Sequence, residues 1–182
     1  MSEHAVEMEP GSTLERFTQG VQASMERATT LSELLRQLST QMREALRDPQ
    51  FLPGERWSYT DPHQLFQIHA GPSAPGNDTG PHDHGEHWVV YGVRRGALET
   101  TRYERLDDGS DADYAELRSV NQFVLGPGDV DAIEPWGIHN QKNATDQTAF
   151  DFVLRGNPNP TYLRNKFDLE TRRVTRIGGP AA

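Results

Sequence analysis

Residues 81–99 read PHDHGEHWVVYGVRRGALE, and the fold turns on how that string divides. His82 and His84 are one residue apart, so on an extended segment both imidazoles leave the same face of the chain and can chelate one ion. His87 falls on the opposite face and reads as a structural or entrance residue. Glu86 shares the alternation of the two histidines. It reaches their ion only if the chain stays extended through Gly85; otherwise it touches substrate or remains a solvated carboxylate. The residues that follow, 88–93, are aromatic and β-branched and read as a buried strand.

A third ligand must come from elsewhere, and His139 in EPWGIHN, residues 134–140, is the best placed. Pro135 and Gly137 build a turn that presents it. A single histidine is ordinarily a surface or core residue, so the inference rests on the combination. Three neutral imidazoles suit iron(II), copper, zinc or nickel, and their incomplete shell leaves positions for water or substrate, which favours catalysis over a structural role.

Working outward, short β-type segments punctuated by Gly, Pro, Asn and Asp surround both motifs. The candidates are residues 64–69, 88–93, 97–106, 117–125, 130–133 and 148–155, the pattern of an all-β sandwich or barrel. LDDGSDADYAEL, residues 106–117, reads as an exposed hairpin loop, and Gly126, Pro127 and Gly128 as a tight turn. Ahead of the strands, apolar residues recur at three and four from Leu14 to Leu46, the spacing of amphipathic helices. Thr30 or Ser32 is the expected cap between two of them, and DPQFLPG, residues 48–54, ends the helical region. The expected organisation is an acidic mobile tail over residues 1–12, a helical cover over 13–48, a β-barrel over 49–160, and a C-terminal extension over 161–182 that runs on the surface with at most one late strand near residues 173–177.

Composition narrows the function. The chain has 182 residues, enough for one domain, and is polar, with a mean hydropathy of −0.76. Its formal charge of −9 opposes nonspecific binding to nucleic acid or acidic membranes. With no cysteine there is no disulfide, no thiolate ligand and no cysteine nucleophile, so any transition metal is held by histidine and carboxylate. Nothing in the first residues resembles a signal peptide, and no apolar run is long enough to span a bilayer, so a cytoplasmic protein is expected. A barrel with an exposed edge is compatible with a monomer or a homodimer.

The two motifs, with GPGDVDAIEPWGIHN over residues 126–140, resemble those of the cupin superfamily: a Gly-His-X-His segment, then a Gly-Asp turn, Pro-X-Gly and a histidine. The resemblance implies a double-stranded β-helix, a small barrel with a metal inside its mouth. Most cupins carry a glutamate four or five residues after the second histidine; here those positions are Trp88 and Val89. That departure resembles the cysteine dioxygenase branch, whose members use three histidines and also carry N-terminal helices. By resemblance, His82, His84 and His139 would bind iron(II), with zinc, nickel, manganese and copper as alternatives, and Arg56 would anchor a substrate carboxylate. The cysteine–tyrosine crosslink of the mammalian-type enzymes is absent, and FDFVLRGNP, residues 150–158, has no tyrosine where that branch places its phenol. Tyr91 or Tyr103 could supply a hydroxyl from another strand, although an aromatic residue on a barrel strand is commonly core.

The expectation is therefore a non-haem iron(II) dioxygenase that uses O2 on a small acid, a thiol acid oxidised to a sulfinate among the options, with Glu86, Arg56 and Tyr103 as candidate catalytic residues. The rival expectations are a metal-dependent cupin with other chemistry (carbon–carbon cleavage by oxygen, a lyase or an isomerase) and a non-catalytic ligand-binding cupin. The helical stretch lacks a basic recognition helix, which disfavours a transcription regulator.

Overall fold

The computed structural model describes residues 4–5, 8–49, 51, 57–156 and 163–178. Two helices come first. Ser12 caps α1 (Thr13–Arg27), its hydroxyl accepting from the Glu15 amide, and Thr30 caps α2 (Leu31–Arg47) in the same way through Glu33. None of the described helices is long and apolar enough to cross a membrane.

The strands among the described residues form three sheets. The largest joins β1 (His4–Ala5), β2 (Trp57–Thr60), β3 (Phe66–Ser73), β4 (Val89–Arg95), β7 (Val130–Ile133) and β9 (Ala149–Gly156) in the order β1-β2-β3-β9-β4-β7. The second is β5 (Leu98–Arg105) between β6 (Leu117–Leu125) and β8 (Ile138–Lys142). The third is a hairpin of β10 (Leu163–Phe167) and β11 (Val174–Gly178). β4 pairs antiparallel with β9 while β5, its continuation, pairs antiparallel with β8, which precedes β9. Two stretches of chain thus run alongside each other in opposite directions from one sheet to the other. That winding is a double-stranded β-helix, preceded by two helices.

Alternation along β4 decides what each face does. Val90 joins the core shared with the helices, and Gly92 sits under α2, where a Cβ would come within 2.5 Å of Leu46 and 2.8 Å of Met42. Phe152 of β9 packs edge to face against both Phe17 of α1 and Phe51, which are tilted against each other, with ring centroids 5.2 to 5.9 Å apart. Val89 and Tyr91 point the other way and pack with Ile133 and Val153 in a separate cluster inside the barrel. The two sheets face each other across that interior: Arg102 of β5 reaches Asp131 of β7 at 2.6 Å.

Several elements depart from the sequence expectation. His4–Ala5 pairs in parallel with β2, inside the stretch read as a mobile tail. β2 and β8 are additional strands, and β8 places His139 on a strand directly after its turn. The C-terminal extension holds two paired strands instead of one; β10 was hidden because Arg164, a charged residue, occupies one of its buried positions beside Phe167.

Candidate metal centre

His82, His84 and His139 come together, each offering one ring nitrogen, with the three atoms all within 4.8 Å of one another. Their convergence depends on pairing as much as on spacing. The backbone of His82 exchanges both amide hydrogen bonds with that of His139, at 2.9 and 3.0 Å, so the first motif lies as an extra rung beside β8. On its other side, Phe167 of β10 donates its amide to the Pro81 carbonyl. Asp83, buried between the two ligands, accepts from the Gly85 and Asn165 amides and from the Asn165 side chain, the last at 2.7 Å. The two motif turns are tied as well, since the Trp136 amide donates to the Gly85 carbonyl at 2.7 Å.

Gly85 settles the question raised by its neighbours. Its φ of +58° is a left-handed conformation that ends the extended run at His84. Glu86 consequently lies exposed on the turn and is not part of the histidine group. His87 points away from it and is buried, its Nδ1–H donating to the Gly156 carbonyl.

The donor set fits a metal ion. His82 donates from Nδ1 to the Gly80 carbonyl at 2.9 Å, which leaves its Nε2 lone pair free. The Nε2 atoms of His84 and His139 are 3.0 Å apart. Two imidazoles bound at right angles to one ion at about 2.1 Å would be separated by about 3 Å. Burial disfavours the charged form of all three rings: His82 is lowered to about 4, chiefly by desolvation, and His84 and His139 lie well below the usual histidine range, again chiefly by desolvation and then by the other rings. They are therefore neutral at physiological pH, the state a ligand requires.

A cavity of about 210 Å³ opens beside His82 and Tyr91, and Asp151, Arg155, Arg164 and Lys166 line it. Asp151 and Arg155 are on the same face of β9 as Val153, inside the barrel. Among the described residues, Nε and Nη1 of Arg155 are buried without an acceptor. The positive charge of Arg155 contributes to the lowering of all three histidines. The sequence carries a signal for this: in residues 150–155, Phe150, Phe152 and Leu154 alternate with Asp151, Val153 and Arg155, so the polar residues occupy one face. Arg56 lies outside the described residues. Tyr103 is on the outward face of β5, packed with Ile138, Phe167 and Val174, away from the histidines; its hydroxyl is raised, mainly by desolvation.

No family pattern matches this chain, and no curated protein does. Among solved structures, it is similar to an oxalate oxidase in complex with glycolate (24% identity over 52% of this chain and 43% of that one, TM-score 0.42) and to the Cnp3 cupin domain of Schizosaccharomyces pombe (10%, 56% and 59%, TM-score 0.44). A third is an uncharacterised protein with a double-stranded β-helix domain from Klebsiella pneumoniae (16%, 65% and 83%, TM-score 0.42). Cupin-domain proteins are its structural neighbours. The matched region spans less than half of the oxalate oxidase chain. At these TM-scores the fold is read from the strand pairing described above.

Proposed function

We propose that the protein is a non-haem iron(II) cupin dioxygenase acting on a small acid, a thiol acid in its leading form. The observation that carries this reading is a group of three neutral imidazoles of which one, His82, lines a cavity that also bears Arg155, Arg164 and Lys166. His82, His84 and His139 would hold the ion, and because none of them carries charge, its full divalent charge is available to attract an anionic group. Bound iron(II) would supply the electron chemistry by which O2 reacts with a thiol, both oxygen atoms passing to sulfur to give a sulfinate. The chain supplies position and electrostatics. Arg155, whose buried Nε and Nη1 groups have no acceptor among the described residues, would hold a distal carboxylate, and Arg164 and Lys166 add positive charge along the same wall. Val153, packed with Val89 and Ile133, gives the cavity an apolar stretch of wall.

Oxygen uptake by iron(II)-loaded protein with a panel of short thiol acids tests the reading. Sulfinate formed in proportion to O2 consumed is the expected result. Uptake with a carbon–carbon cleaved product would favour the ring- or chain-cleaving alternative, and turnover without uptake a lyase or isomerase. If no thiol is bound or oxidised, the thiol version is lost.

A further inference from the structure

We propose that Tyr91 is a fourth protein donor to the metal, supplying an oxygen where Glu86 does not reach. The Tyr91 hydroxyl is 2.7 Å from Nε2 of His84 and 3.3 Å from Nε2 of His139, and those two nitrogens are 3.0 Å apart. The three atoms form a closed triangle. With each ring protonated on Nδ1, both Nε2 lone pairs turn into it, the single phenol proton serves only one of them, and the nitrogen–nitrogen edge carries no proton. A single cation near the triangle satisfies all three donors at once, and each edge matches the roughly 3 Å between neighbouring ligands of one ion.

The phenol is held there by the fold. Tyr91 is 4% exposed, pairs with Asp131 on one side and Val153 on the other, and packs among Val89, Ile133 and Val153. Its ring lies on the barrel-interior face of a strand that is buried on both faces, and it borders the cavity beside His82. Among the described residues no carboxylate joins the histidine group, so no acidic side chain competes for the place. On binding iron(III) the phenol proton leaves to water and the oxygen becomes an anionic donor.

This inference rests on metal binding at the three histidines and not on the dioxygenase chemistry. Its test is spectroscopic. The purified protein is loaded with iron, its iron content is measured, and it is oxidised to iron(III) with ferricyanide. A visible phenolate-to-iron charge-transfer band is expected in the wild type, with phenolate vibrations enhanced when that band is excited in resonance Raman. Tyr91→Phe is expected to abolish both while keeping most of its iron. An iron-loaded wild type without the band overturns the assignment and leaves the dioxygenase reading standing; a band retained in Tyr91→Phe overturns it too. Wild type that binds no iron removes this inference together with the metal reading. If Tyr91→Phe fails to fold, the wild-type Raman spectrum decides alone.

Discussion

His84 and His139 are both fully buried, yet the Nδ1 atom of each has no hydrogen-bond partner among the described residues. An ion on Nε2 of each ring would fix the remaining proton on Nδ1 without giving it an acceptor, so the case for a ligand site rests on the convergence of the three ring nitrogens. His84→Ala is expected to cut bound iron, measured by elemental analysis after purification without added metal, to less than a tenth of wild type; full occupancy in the variant would remove His84 from the site. The same burial gives the metal-free protein a pH-dependent stability. His82 has a folded pKa of about 4 against about 6.5 unfolded, so between these values the unfolded chain binds more protons. The stability it contributes is fully present above about pH 6.5 and is lost as pH falls toward 4, on the order of 3 kcal/mol from this ring alone. His84 and His139 act in the same direction. Urea titrations of metal-free protein across that window should show a falling midpoint, and a flat profile would contradict the burial argument. At the cavity wall, Arg155→Gln should raise KM for an acidic substrate at least about tenfold, in line with loss of a charge-assisted pair, with less effect on the corresponding amide. Equal effects on both would assign Arg155 to the barrel structure instead.

At the scale of elements, the strands that the sequence displayed are those whose two faces differ in residue type, or that are uniformly apolar and bounded by turns. β6 and β7 match their expected limits, and β4, β5 and β9 begin within a residue of theirs. β8 was not legible because its residues, Ile138 to Lys142, read as a turn with a polar tail; His139 and Gln141 are its inward face, where apolar residues would ordinarily lie. Function removed the very signal that marks a strand. β10 was concealed in the same way by Arg164. The triad was legible because its spacing is local on one side and framed by Pro135 and Gly137 on the other, whereas the position of Glu86 depended on a single φ at Gly85 that alternation cannot report. The cover of α1 and α2 depends on a residue that is absent from any apolar pattern. A methyl group on Gly92 would overlap Leu46 and Met42. Gly92→Ala should therefore lower stability by about 1–3 kcal/mol through overpacking. Chemical denaturation measures this; an unchanged midpoint would mean that α2 rides more loosely on β4 than its packing indicates.

For the whole molecule, the metal site is where three distant parts of the chain close on one another. The loop carrying His82 and His84 is bridged to β8 on one side and to Lys166 of β10 on the other, and Asp83 holds Asn165 through both its amide and its side chain. A ligand that binds only when these parts are assembled must stabilise the assembly, by an amount set by the ratio of its concentration to its Kd. It follows that the C-terminal hairpin, read from the sequence as a surface extension, belongs to the metal site energetically although it supplies none of the three histidines. Asn165→Ala removes the 2.7 Å bond to Asp83 while keeping the backbone rung, so the loop keeps its pairing but loses a restraint on the residue between the two ligands. Losing such a support typically weakens metal affinity by about 10- to 100-fold. With iron(II) in excess under anaerobic conditions, that corresponds to a loss of about 1.4–2.8 kcal/mol of metal-induced stabilisation. The measurement is the difference in Tm between loaded and metal-free protein, taken for wild type and variant at one metal concentration. The difference should shrink in Asn165→Ala. Were Tm to fall equally in both forms with the difference intact, the hairpin would be a structural cover only, and its coupling to the site would be refuted.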